Sequence, residues 1–333
     1  MRTLVKWIGR IILAFVVVVG AIALFGPRED VDLSATFDPA VFGDDLDTYF
    51  ADAEAKFSDI VEGTQKRVIW AGEAGAKTPV SVLYIHGFSA TSEEIRPVPD
   101  KLADALGANL IFTRLSGHGR SGDAMTEPTA ADWMMDTAEA FAAARMVGEK
   151  VVVVSTSTGG TLVAAAALHD DLMKHVAGTI FVSPNFKLNS GAAVILTWPG
   201  VRWWGPIVAG AQRSFETLNA GHEAYWTNSY PTVALMPMAA LVKHVDGLDL
   251  SASKVPALFV ISDQDKVVSP VKNREVAEEW GGESTLEILT MSAGDDPYSH
   301  VIAGDILSPG QTDGAAQTMV DWAQGVLAKA RSQ

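Results

Sequence analysis

Residues 151–168, VVVVSTSTGGTLVAAAAL, leave this chain few ways to fold. Four consecutive valines bounded by small residues suit a strand buried on both faces. The Ala- and Leu-containing run after Gly160 suits a helix packed closely on that strand. Only residues 155–160 lie between them, so the chain must turn sharply from strand into helix. A serine on such a turn is lifted out of the sheet with its hydroxyl exposed, the logic of the G-x-S-x-G turn. Here the turn reads Ser155-x-Ser157-x-Gly159, with serine at a first position where only a small residue fits. Ser157 is the candidate nucleophile. The competing reading is a hydroxyl-rich helix cap, because Ser and Thr are good N-caps.

Around this stretch, residues 66–70, 80–85, 109–113, 179–182, 256–261 and 286–291 read as strands. Residues 129–147, 271–280 and 314–330 read as helices, and Thr91-Ser92-Glu93-Glu94 reads as a helix start. The alternation from Val80 to Val182 implies an α/β fold with a mostly parallel sheet and helices on both faces. The rhythm breaks at about Asn185 and resumes at Val255. Residues 185–250 are rich in Trp, Tyr and Met, and an insert this long is most simply a cap over the strand ends. Its aromatic and Met side chains serve either an apolar ligand site or the packing of the cap itself. Trp198, Trp203, Trp204 and Met236 are the candidate substrate contacts.

At the N-terminus, Arg2, Lys6 and Arg10 precede the apolar run IILAFVVVVGAIALF. Ala21-Ile22-Ala23 could serve as a signal cleavage site, giving a secreted or periplasmic protein. Alternatively, Leu4, Val5, Trp7 and Ile8 extend the helix backward while Lys6 and Arg10 snorkel, making an anchor of about 22 residues. The anchor is the expectation. The basic residues all precede the run, which places the bulk of the chain outside the cytoplasm. Residues 27–40 read as a polar, acidic linker. Leu46, Tyr49, Phe50, Ala53, Phe57 and Ile60 then recur at the spacing of one amphipathic helix. The expected division is a membrane segment (1–26), a linker and helix (27–64), a core (65–184 and 251–333) and a cap (185–250).

Composition removes several function classes. A net charge of -15 argues against a nucleic-acid footprint. With no cysteine, disulfide frameworks, thiolate metal sites and a Cys nucleophile are excluded. The glycine-rich loop at 114–122 lacks both nucleotide-binding spacings. No His/Asp cluster has metal-ligand spacing, so neither metal nor cofactor is expected.

A serine hydroxyl needs a base to take its proton and a third group to orient that base. Ser157, an aspartate at 263 or 265, and His300 follow one another on successive strand ends. In a parallel sheet such loops emerge at one edge and can converge. His86 and His118 read as loop-packing residues, and Asp295 and Asp296 as a solvated pair.

Taken in order, five pieces resemble the α/β-hydrolases, most closely their carboxylesterase and monoacylglycerol-lipase branch. They are His86-Gly87-Phe88, the 117–122 loop GHGRSG, the Ser157 turn, the 262–270 segment SDQDKVVSP, and Ser299-His300. The resemblance covers roughly residues 65–330 and departs at Ser155 and Ser262, where glycine is usual. It implies an α/β-hydrolase fold with an inserted cap. It also implies Ser157 as nucleophile, His300 as base, Asp265 rather than Asp263 as acid, and the backbone N–H groups of Phe88 and Thr158 as oxyanion hole. The implied activity is cleavage of a small-molecule acyl ester, by a membrane-anchored enzyme with its catalytic domain outside. Amide or peptide hydrolysis is the alternative, because related folds include proline-type aminopeptidases. A non-catalytic ligand-binding protein on the same fold is the alternative from another class.

Overall fold

The computed structural model describes residues 2–331. Met1, Ser332 and Gln333, at the ends of the expected membrane segment and core, lie outside the described residues, as do the side chains of Arg2 and Arg331. The first element, α1 (Arg2–Phe25), is a continuous helix of 24 residues. At about 1.5 Å per residue it is about 36 Å long. Within its Thr3–Phe25 portion an 18-residue stretch has mean hydropathy 2.7 and none of it is buried, so by length and composition the helix can cross a membrane.

The stretch expected as a linker is instead a packed strap. Val31, Leu33, Ala35 and Phe37, every second residue, lie against the core, as an extended chain with one buried face must place them. Helix α2 (Leu46–Glu54) opens under Asp45, whose carboxylate accepts from the Thr48 N–H. It stops well short of the expected Ile60. Glu54 is drawn inward by Arg114, Nε to Oε2 2.7 Å, with both side chains buried. Phe57 then leaves the helical line and packs beneath the guanidinium groups of Arg114 and Arg120, 5.2 and 4.3 Å from its ring centre.

Strands β1 (Arg67–Ile69) and β2 (Thr78–Ile85) follow. The expected helix start at 91–94 is a run of turns, and α3 (Val98–Leu106) begins only after Pro97. Pro99 lies in its first turn, where a missing N–H costs nothing. After β3 (Asn109–Phe112), α4 (Ala130–Val147) begins with a reciprocal cap between Thr129 and Asp132. Then come β4 (Gly148–Thr156), α5 (Thr158–Ala166) and β5 (Val176–Val182). The inserted segment contains α6 (Val201–Ala209), β6 (Gln212–Ser214), α7 (Ala220–Tyr225), β7 (Ser229–Pro231) and α8 (Leu235–Asp246). The core closes with β8 (Ala257–Ile261), α9 (Pro270–Glu279), β9 (Ser284–Ile288) and α10 (Thr312–Arg331). Strand β9 starts and ends earlier than expected.

Seven strands form one sheet in the order β1-β3-β2-β4-β5-β8-β9. Only β1 is antiparallel to its neighbour. Strand β4 shows why the valine run is unbroken. Val151 and Val153 face the core under α4 and α5, whereas Val152 and Val154 face the core under α3 and α10. Both faces are covered, and the loops after β2, β4, β8 and β9 leave the same edge.

The Arg114–Glu54 pair fastens α2 to this core. Removing one member of a buried pair strands the other charge, at a cost of about 3–5 kcal/mol. We expect Arg114→Ala to lower unfolding stability by about 3 kcal/mol, read as a shift in urea midpoint at constant slope.

Candidate active site

The site begins with backbone contact. A Cβ added to Gly159 would stand 2.3 Å from the Ile85 carbonyl oxygen and 2.6 Å from that of His86. Only glycine lets α5 approach β2 so closely. Ser155, in place of the usual glycine, is fully buried and donates its hydroxyl to the Ile180 carbonyl at 3.2 Å. Between them Ser157 takes φ 51° and ψ -117°, a conformation L-residues rarely adopt. Its N–H donates to the Val182 carbonyl and its own carbonyl accepts from the Asn185 N–H, both at 3.0 Å.

Three side chains from three loops meet here. His300 Nε2 lies 3.0 Å from Ser157 Oγ, and His300 Nδ1 lies 2.8 Å from Asp265 Oδ2. A carboxylate only accepts, so Nδ1 carries the ring hydrogen and Nε2 accepts from the serine hydroxyl. Asp265 is held by its other oxygen, which accepts from the Val267 and Val268 N–H groups at 2.8 and 2.9 Å. Asp263 points elsewhere and pairs with Arg274 at 2.5 Å.

Asp295 and Asp296 are not solvated. Both are buried because each collects N–H groups of the loop that carries His300. Asp296 Oδ2 accepts from the His300 and Val301 N–H groups, both at 2.9 Å, and Oδ1 accepts from that of Tyr298. Asp295 accepts from the Ser292 and Gly310 N–H groups. Sequence reading misses this brace because a D-D-P run looks like a turn.

Burial opposes a charged His300, but the charge and hydrogen bond of Asp265 outweigh it, with Glu94 and Asp296 adding to the pull. Its pKa is therefore raised above the ordinary 6.5. His86 and His118 behave oppositely. Both are fully enclosed, and burial pushes them down to about 3 and about 4. His86 Nε2 accepts from the Leu115 N–H at 3.1 Å, and the two rings sit 5.2 Å apart. They brace loops, as expected.

Among the described residues, neither the Phe88 N–H nor the Thr158 N–H has a hydrogen-bond partner. Thr158 is the first residue of α5, where unpaired N–H groups and the helix dipole favour negative charge. Beside Phe88, the side chains of Met125, Tyr230, Ala234 and Leu235 form a small apolar cluster. Tyr230, one of the aromatic residues of the insert, lies with its ring edge-on to Phe88 at 5.5 Å. The four expected substrate contacts are placed differently. Trp198 and Trp203 are exposed, and Trp204 donates its indole N–H to the Pro199 carbonyl. Met236 is fully buried, with its methyl group against Gly205 of α6.

The profile of a family described as serine aminopeptidase, S33, matches residues 76–291. This chain belongs to that family. Its members are serine hydrolases, and this chain is one of them. The chain is also similar to a thermostable monoacylglycerol lipase from Bacillus sp. (strain H-257). It is 26% identical over 192 residues, covering 58% of this chain and 73% of the relative. Among solved structures, a protein from work on the metagenome-derived lipolytic enzymes LipS and LipT superposes with TM-score 0.63. It is 19% identical and covers 80% of this chain and 99% of its own. A soluble variant of monoglyceride lipase from Saccharomyces cerevisiae gives TM-score 0.59 at 12% identity, covering 80% and 92%. These structural likenesses carry the α/β-hydrolase fold.

The charge on Asp265 should be measurable at His300. We expect the imidazole of His300 to titrate above 6.5 by NMR, and Asp265→Asn to lower that value.

Proposed function

We propose that the chain hydrolyses carboxylic esters of acyl chains, acylglycerols among them, through an acyl-enzyme on Ser157. The observation that carries this reading is the continuous hydrogen-bonded chain Ser157–His300–Asp265 beside two unpartnered backbone N–H groups. Ser157 Oγ attacks the carbonyl carbon as its proton passes to His300 Nε2. The Phe88 and Thr158 N–H groups receive the oxyanion, each worth about 3 kcal/mol in the transition state. Collapse returns the proton to the leaving alcohol, and water repeats the cycle to release the acid. The apolar cluster of Phe88, Met125 and Tyr230 suits an acyl chain, and the lipolytic relatives agree with that class. The family's description favours a second reading, hydrolysis of aminoacyl amides or peptides.

In this reading residues 185–250 are a cap over the core formed by 65–184 and 251–333, with 27–64 packed alongside. Helix α1 is an uncleaved anchor, and the catalytic domain stands outside the cytoplasm. Lys6 and Arg10 precede its most apolar part, which favours that orientation. The end of α1 is fastened to the cap: the Gly200 N–H donates to the Pro27 carbonyl at 2.6 Å, and Arg202 pairs with Glu29. On α6, next to this joint, Trp203, Ile207 and Val208 are 61%, 84% and 76% exposed. Such an apolar face next to a membrane helix suits contact with the bilayer.

A fluorophosphonate probe should label Ser157, with no labelling in Ser157→Ala, where kcat falls at least about 10⁴-fold. No labelling of the folded wild type would sink the ester-hydrolase reading. Turnover of an aminoacyl p-nitroanilide faster than of any acyl ester would favour the second one. For the anchor, we expect full-length protein to stay in the membrane pellet after alkaline carbonate extraction. A mature N-terminus at Leu24 would instead show signal cleavage.

A further inference from the structure

The acyl-transfer scheme leaves one buried carboxyl group unused, and it stands directly behind the oxyanion loop. Glu94 is only 2% exposed. Its Oε2 accepts from the Gly87 N–H at 2.7 Å and from the Tyr84 hydroxyl at 3.0 Å. That hydroxyl lies 3.1 Å from Oγ1 of Thr156, the residue before Ser157. One oxygen thus ties together β2, the His86–Gly87 peptide and, through the Tyr84 hydroxyl, the end of β4.

The other oxygen, Oε1, has no hydrogen-bond partner among the described residues. A Cβ added to Gly87 would stand 2.8 Å from Oε1 and 3.0 Å from Ser157 Cβ, so carboxyl group and serine flank the same glycine. The loop after His300 reaches the Glu94 backbone as well. A Cβ on Gly304 would stand 2.6 Å from Ile95 Cα and 3.0 Å from the Glu94 carbonyl oxygen.

The nearby guanidinium groups are already engaged. Arg67 pairs with Glu93, and Arg96 pairs with Glu93 and Asp100. The titratable groups facing Glu94 are Tyr84 and His300, and those facing His300 are Asp265, Glu94 and Asp296. Burial pushes the Glu94 carboxyl up to about 7, against the pull of the Gly87 N–H, His300 and Tyr84.

We propose that Glu94 is a positioning residue of this site. Through Oε2 it holds the His86–Gly87 peptide, one residue ahead of Phe88, so that the next N–H, that of Phe88, faces the reacting carbonyl. Its carboxylate is also an anion, additional to Asp265 and Asp296, that protonated His300 meets. The inference rests on the Ser157–His300–Asp265 reading. When serine attacks, an imidazolium and an oxyanion form together. An ionised Glu94 favours the first and opposes the second, so one side chain couples the two loops that carry them.

The test uses the full chain, with wild type, Glu94→Gln and Glu94→Ala assayed on a short-chain p-nitrophenyl ester from about pH 5 to 9. Glu94→Ala removes acceptor and charge, and we expect kcat to fall about 30-fold with KM within about twofold. Glu94→Gln keeps an acceptor for the Gly87 N–H. It should recover most of that loss, and the acidic limb of its kcat/KM profile should move down by about half a pH unit or more. A Glu94→Ala enzyme within about threefold of wild-type kcat, or a Glu94→Gln profile with an unmoved acidic limb, overturns the proposal. If Glu94→Ala does not fold, Glu94→Gln decides alone. Fluorophosphonate labelling runs alongside. Wild type unlabelled at Ser157 sinks the reading beneath the proposal, a different failure from labelled wild type with unchanged variants.

Discussion

Helix α5 meets strand β2 backbone against backbone at Gly159, and the geometry of the site hangs on that contact. Any side chain there would push α5 away and unwind the turn that lifts Ser157 out of the sheet. The strain of that turn, about 1–3 kcal/mol, is small beside the burial of the four valines leading into it, at about 1.5–3 kcal/mol each. The sheet interior therefore holds a serine in a conformation it would not adopt alone. The same closeness sets Ser157 against Gly87, the residue before Phe88, where an added Cβ would stand 3.0 Å from the serine Cβ.

Around this turn, buried carboxylates do the positioning. Asp265 orients the histidine ring, and two backbone N–H groups fix its second oxygen so that the ring cannot drag it away. Asp296 holds the histidine's backbone rather than its ring. The division explains why two aspartates close in space are not interchangeable. Each is satisfied by N–H groups of its own loop, which makes a buried negative charge tolerable without a lysine or arginine beside it.

The parts legible in the sequence are those fixed by local sterics and short periodicity. The valine run, the small residues of the turn and the strand–helix alternation each carry their cause within a few neighbours. What was not legible depends on residues distant in the chain. Helix α2 ends where Arg114 reaches it from 60 residues away. The period-two stripe at Val31, Leu33, Ala35 and Phe37 lay hidden among acidic residues that suggested a free linker. The resemblance already implied Asp265 rather than Asp263, but not that Arg274, arriving on α9, occupies the first. The tryptophans of the inserted segment show the same limit. Composition placed them together, but only the packing of α6 puts Trp203 outside and Met236 inside.

The enclosed pair His86 and His118 sets a lower bound on the pH this domain can endure. In the unfolded chain both imidazoles take up protons below about 6.5, whereas in the folded chain they resist until about 3 and about 4. Their depressed proton affinity is linked to folding. The associated stability is fully present above about 6.5 and drains away as pH falls through the window down to 3. On acidification His300, whose pKa lies above 6.5, therefore takes up its proton well before either loop brace does.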